Sequence, residues 1–147
     1  MVASMSPTGR HTLRFPATLD GFTSASEWLR RLLDAERVEG RARRNVELAF
    51  EEIGTNIVRH GRPRSDVEVT LLFGGDEVLL TFEDDGIAFD PLGHPDPDVP
   101  ASLELARVGG LGVFLVKKLA ARVQYERTPQ QRNRVTVAIA ASIEPGT

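Results

Sequence analysis

The stretch RARRNVELAFEEIGTNIVRHG, residues 41–61, decides how this chain is read. Plotted at about 100° per residue from Ala49, Val46 falls at roughly 60°, Phe50 at 100°, Ile53 at 40° and Ile57 at 80°. These residues form one apolar stripe, so the spacing predicts a helix from about Arg41 to His60, with Gly61 as its C-terminal stop. Glu51 points to about 200°, into solvent. Glu52 and Asn56, at about −60° and −20°, lie along one flank of the stripe, one helical turn apart and therefore neighbours. A carboxylate and a carboxamide thus sit where the helix meets the core. Two readings fit that placement. In one, Asn56 caps a neighbour and Glu52 pairs with an arginine. In the other, Asn56 offers a neutral oxygen to a hard cation and Glu52 accepts a proton from a nucleophile. One asparagine suffices for Mg²⁺ when phosphates and waters fill the remaining positions.

Upstream, HTLRFPA (residues 11–17) alternates as a strand, with Leu13 and Phe15 on one face. SASEWLRRLLDAERV (24–38) reads as a helix: Trp28, Leu29, Leu32 and Leu33 recur at helical spacing, and Ser24 or Ser26 is the candidate cap. Gly40 breaks it. Residues 1–10 are small and polar, and are expected to form a flexible tail. Downstream, DVEVTLLF, a Gly74-Gly75-Asp76 turn and EVLLTFE read as a β-hairpin. A helix over 110–123 would bury Leu111, Phe114, Leu115, Leu119 and Val123, and VQYER and NRVTVAIAA supply closing strands. The sum is an α/β (α+β) two-layer sandwich, a mixed and mostly antiparallel sheet with helices on one face. One domain over 11–141 is expected, with a C-terminal tail at 142–147.

The bulk numbers narrow the function classes. The chain has 147 residues, 41% of them hydrophobic and 27% charged, which suits one domain with a real core. A net charge of −3 argues against a broad nucleic-acid surface. With no cysteine, disulfide and thiolate chemistry are excluded, and a reducing, cytoplasmic setting is expected. Neither an apolar run of the ~20 residues needed to span a bilayer nor a signal-peptide core is seen. His60 and His94 offer no metal-ligand spacing.

Two further stretches carry chemistry. EDDGIAFDP (83–91) contains Asp85-Gly86, a strong hairpin signal. A Pro-rich segment follows instead of a clean returning strand, so a lid over about 87–109 competes with the hairpin. In that alternative Asp84 accepts a hydrogen bond from an adenine amino group and Gly86 gives the base room. RVGGLGVFLVKK (107–118) places Gly109, Gly110 and Gly112 at the mouth of a helix. Either they form a helix-start loop, or bare backbone N–H groups at a helix N-terminus receive phosphate.

Taken in order, Glu-x-x-x-Asn on a helix, Asp-x-Gly-x-Ala ending a strand, a long lid and Gly-Gly-Leu-Gly opening a helix resemble the GHKL ATPases. These are the Bergerat-fold, histidine-kinase-like superfamily. The resemblance runs from about His11 to Ala140 and is strongest to the bacterial anti-sigma-factor serine-protein kinases. It implies ATP and Mg²⁺ as cofactors, Asn56 as the metal ligand and Glu52 as general base. It further implies that Arg59 and Arg107 lie near the phosphates and that Asp84 and Gly86 lie at the adenine. Gly110, Leu111 and Gly112 would lie over the phosphates. Ala88 stands where the family usually has glycine, which adds a methyl to the nucleotide pocket. Arg132-Asn133 replaces a frequent Gly-Thr, with the Asn133 amide directed at the base.

By that resemblance, the chain is expected to phosphorylate a serine on a STAS-type anti-sigma-factor antagonist and to sequester a sigma factor as a homodimer. Two other readings share the nucleotide: a non-catalytic ATP-binding module that sequesters a partner, and a simple ATPase in which Glu52 activates water.

Overall fold

The computed structural model describes residues 2–5, 9–88, 90 and 110–141. Strands β1 (Val2–Met5), β2 (Arg10–Phe15), β3 (Val67–Gly74), β4 (Glu77–Asp84), β5 (Arg122–Arg127) and β6 (Asn133–Ala140) form one sheet. Their order is β1-β2-β3-β4-β6-β5, and every neighbouring pair is antiparallel. The helices are α1 (Leu19–Ala35), α2 (Gly40–Asn56) and α3 (Gly110–Leu119). Among the described helices, none is long and apolar enough to cross a membrane.

Alternation in the strands explains the layering. In β2, β3, β4 and β6 every second residue is buried, and the register sets Leu13, Val69, Phe82 and Val135 in one transverse row. This row belongs to the core shared with the helices. The opposite face carries a parallel row of Thr12, Thr70, Thr81 and Thr136, flanked by the Arg14–Glu68 and Arg134–Glu83 ion pairs. A sheet half-buried in this way needs helices on one side only. An aromatic chain ties the layers together: Phe15 to Phe22 at 6.2 Å, Phe22 to Phe50 at 5.4 Å and Phe50 to Phe82 at 5.3 Å between ring centroids. It runs from β2 through α1 and α2 to β4.

Four expectations change in detail. Val2–Met5, read as part of a loose tail, form β1 and pair with β2 from Val2↔Arg14 to Met5↔His11. Helix α1 starts at Leu19, capped by the Thr18 hydroxyl, which accepts the Gly21 N–H at 3.0 Å. Ser26 instead donates to the Phe22 carbonyl inside the helix, a bond that leaves no cap to make. α2 gives way after Asn56 to a π-helical turn, Ile57–Gly61, and the left-handed residue that ends it is Arg62, at φ 49°, one position past Gly61. α3 is shorter than expected, because Val123 lies in β5 opposite Val137. Among its described side chains Val113 and Val116 are buried, Phe114 and Leu119 are half-buried instead of forming a buried stripe, and Leu115 is 44% exposed.

Thr18→Ala should therefore cost about 1 kcal/mol of stability, while Ser24→Ala stays within roughly 0.5 kcal/mol, read from urea unfolding midpoints. Phe50→Ala, cutting the aromatic chain at its centre, should cost about 3–5 kcal/mol by the same measurement.

Candidate functional site

The apolar stripe of α2 buries Val46, Ala49, Phe50, Ile53 and Ile57, as its periodicity requires. Glu51 is exposed and Glu52 half-buried. Asn56 is only 6% exposed, yet no hydrogen bond from a described residue reaches its carboxamide. A cation or a ligand oxygen at that position would give the carboxamide a partner. The π-turn starts at the next residue; such turns concentrate at functional sites.

Glu52 leans on the start of α3. A methyl group built on Gly112 would overlap its carboxylate, so only a glycine leaves room for that approach. Burial pushes the Glu52 carboxyl above its ordinary value, the charge of Glu51 adds to this, and the charge of Arg59 opposes it. A half-buried carboxyl with raised proton affinity is suited to taking a proton. Arg59 is itself exposed on the π-turn.

At the end of β4, Asp84 is 1% exposed. Its Oδ1 accepts the Gly86 N–H at 2.8 Å and the Asn133 amide at 3.1 Å, while Oδ2 takes no hydrogen bond from the described residues. Burial raises its proton affinity, and the Asn133 and Gly86 bonds only partly oppose that. Asp85 faces the other way, accepting the backbone N–H groups of Arg64 and Ser65 at 2.8 and 3.0 Å and the Ser65 hydroxyl at 2.7 Å. Burial disfavours its charge, but these bonds outweigh burial and hold the carboxyl below its usual range.

The Asp-Asp-Gly segment is therefore not a hairpin turn, since β4 has β3 and β6 as its partners. It is pinned to the end of α2. Ile87 N–H donates to the Gly61 carbonyl at 3.0 Å, and a methyl on Gly86 would collide with that same backbone oxygen. Helix α2 carries Asn56 and Glu52 on the two turns just before this junction, five and nine residues ahead of Gly61.

Of the remaining candidates, Ala88 is exposed beside Ile87, and Gly110 and Leu111 open α3. Arg107 and most of the expected lid lie outside the described residues, as does His94. Asn133 is buried against Asp84 and donates to the Ile87 carbonyl at 2.7 Å. Sequence reasoning missed Tyr125 and Arg127, whose hydroxyl and guanidinium donate to Asn133 Oδ1 at 2.6 and 3.2 Å. Their spacing of two along β5, beside Asn133 at the start of β6, was the available signal.

Because both Asp84 and Glu52 titrate above their ordinary range, the folded chain holds protons that the unfolded chain has released. Stability therefore falls as pH rises through that window. Asp84→Asn and Glu52→Gln should make the free protein more stable than wild type at neutral pH, with the advantage fading in acid; urea unfolding across pH measures this. Gly86→Ala should destabilise by about 1–3 kcal/mol through its collision with Gly61, read from the same curves.

Residues 15–139 match the family model described as a histidine kinase-like ATPase domain. The serine/threonine-protein kinase BtrW of Bordetella bronchiseptica is 32% identical over 120 residues, covering 79% of this chain and 84% of that protein. A chain from the crystal structure of the SiaB–SiaC complex of Pseudomonas aeruginosa aligns with a TM-score of 0.59 at 14% identity, with 88% of each chain covered. At that identity the likeness concerns the fold alone. The family match spans the α2 pair, the Asp84 turn and the α3 glycines together, and the chain belongs to the histidine kinase-like ATPase family.

Proposed function

We propose that this protein binds Mg–ATP between α2, the Asp84 turn and the start of α3, and transfers the γ-phosphoryl group to a serine of a partner protein. The observation that carries the reading is the buried Asn56, whose carboxamide takes no bond from a described residue, one turn from a carboxylate that lies against Gly112 of α3. Asp84 Oδ2 is assigned to the exocyclic amino group of adenine. The N–H groups at the start of α3 are assigned to the phosphates, together with Arg59 and Arg107.

Asn56 would hold Mg²⁺, and the donor type fits: its carboxamide offers a neutral oxygen that no described residue engages. Bound there, the ion would offset phosphate charge, with phosphates and waters as its other ligands. Glu52 orients the acceptor hydroxyl and takes its proton. The serine oxygen bonds to the γ-phosphorus as the bond to the β–γ bridging oxygen breaks, ADP leaves, and the proton stays on Glu52.

BtrW is named a serine/threonine-protein kinase, which supports this reaction class. On the same reading the acceptor is a STAS-type anti-sigma-factor antagonist, and the chain, as a cytoplasmic homodimer, holds a sigma factor until an unphosphorylated antagonist displaces it. A second reading keeps the nucleotide without transfer, as a docking module. The departures at Ala88 and Arg132-Asn133 are what favour it.

Incubation with Mg–ATP and STAS-domain proteins, followed by mass spectrometry for phosphoserine, decides between them. Glu52→Gln should retain ATP binding by calorimetry while transfer falls by about 10²–10⁴-fold. Asn56→Ala should weaken Mg–ATP binding by on the order of tenfold or more, the loss of a charge-assisted contact. Transfer by Glu52→Gln at the wild-type rate would remove Glu52 from the mechanism. ATP binding with no phosphoserine on any acceptor would favour the docking module, and free phosphate without a partner would favour a simple ATPase.

A further inference from the structure

Asn133 opens β6 directly opposite Asp84 in the sheet register and is 1% exposed. Its Oδ1 accepts from the Tyr125 hydroxyl at 2.6 Å and from Arg127 at 3.2 Å. Its Nδ2 donates to Asp84 Oδ1 at 3.1 Å and to the Ile87 carbonyl at 2.7 Å. A guanidinium only donates and a backbone carbonyl only accepts, so the amide cannot be turned over without breaking bonds on both sides. Arg127 also donates to the Gly86 carbonyl at 2.9 Å, gripping the same turn from outside. Both amide hydrogens are therefore engaged within the protein, one of them on Asp84.

We infer that Asn133 is a positioning residue that sets the base selectivity of the site: clamped by Tyr125 and Arg127, it occupies Asp84 Oδ1 as a donor and leaves Oδ2 as an acceptor for an amino-bearing base. This rests on the nucleotide reading above. A carboxylate held in this way accepts from the amino group of adenine and meets the oxo group of guanine lone pair against lone pair, which refuses it. Burial works toward protonating Asp84, and a protonated carboxyl would donate to an oxo group; the Asn133 and Gly86 bonds act against this. The amide thus defends the acceptor state on which the selectivity depends.

The test is calorimetric titration of the full chain with Mg–ATP and Mg–GTP. Asn133→Leu should lose about tenfold or more in ATP affinity with little change for GTP, so the ratio narrows; Tyr125→Phe should lose about three- to tenfold for ATP. Asn133→Asp gives the sharper readout. Two facing carboxylates share one proton, and the carboxyl introduced by that substitution, once protonated, can donate to Asp84 as the amide does. The ATP affinity of this variant should rise as pH falls from about 8 to about 6, whereas wild type stays level or weakens. Among the described residues, Asp85, Arg127 and Arg132 are the other charged groups around the pair.

Melting curves show which variants fold. If Asn133→Leu does not, Asn133→Asp and Tyr125→Phe carry the test. Folded variants with wild-type ATP affinity, an unchanged ATP-to-GTP ratio and a pH profile parallel to wild type would overturn the inference while leaving the site intact. If wild type binds no Mg–ATP, or Asp84→Asn binds it as wild type does, the nucleotide reading itself falls, and the inference falls with it.

Discussion

The carbonyl oxygen of Gly61 is the point on which the two halves of the site depend. It accepts the Ile87 N–H, and it lies so close to Gly86 that no side chain fits between them. A backbone-to-backbone hydrogen bond with a bare Cα beside it leaves very little play between the helix and the strand end. Asn56 and Glu52 ride on the helix above this junction and Asp84 on the strand below it. The π-turn, by inserting one extra residue, re-aims the chain so that the helix end meets the Asp84 turn.

The site is built from groups that a core would otherwise reject. Asn56 keeps a buried carboxamide with no described partner, and Asp84 and Glu52 keep carboxyls whose burial disfavours their charge. Burying the two carboxyls costs stability in the free protein, and on the proposed reading a ligand that supplies a cation, an amino group or a hydroxyl proton offsets it. The surrounding structure supplies the constraint: the aromatic chain from Phe15 to Phe82 fixes α2 on the sheet, and Gly112 lets α3 come down onto Glu52. Carboxyls whose burial disfavours their charge distinguish these positions from the sheet's outer face, where Glu83 is matched by Arg132 and Arg134.

Much of this was legible from residue order. The α2 stripe, the β3–β4 hairpin and the position of Glu52 and Asn56 at its flank follow from periodicity, which local sequence carries directly. What periodicity does not carry was misread. Thr18 caps α1 because the helix begins at Leu19, while Ser26 lies inside it and bonds back to the Phe22 carbonyl, a boundary the serine residue types do not reveal. Val123 continues a helical stripe on paper, yet pairing with Val137 takes it into β5, where sheet contacts override local preference. The Asp85-Gly86 hairpin signal was displaced by long-range bonds to Arg64, Ser65 and Gly61. The Tyr125–Asn133–Arg127 clamp joins two strands, and the spacing of two along β5 hints at it only once β5 and β6 are known to pair.

If α2, the Asp84 turn and the α3 glycines make one nucleotide site, a single Mn–ATP titration should reach all three. Paramagnetic broadening followed in amide ¹H–¹⁵N spectra locates the metal and the base together. The signals of Asn56 and Gly112 should be lost first and those of Gly86 and Ile87 at higher Mn–ATP, while Mg–ATP should shift all four without broadening. Broadening centred on the outer sheet face around Thr70 and Thr81, or an unperturbed spectrum, would refute a shared site.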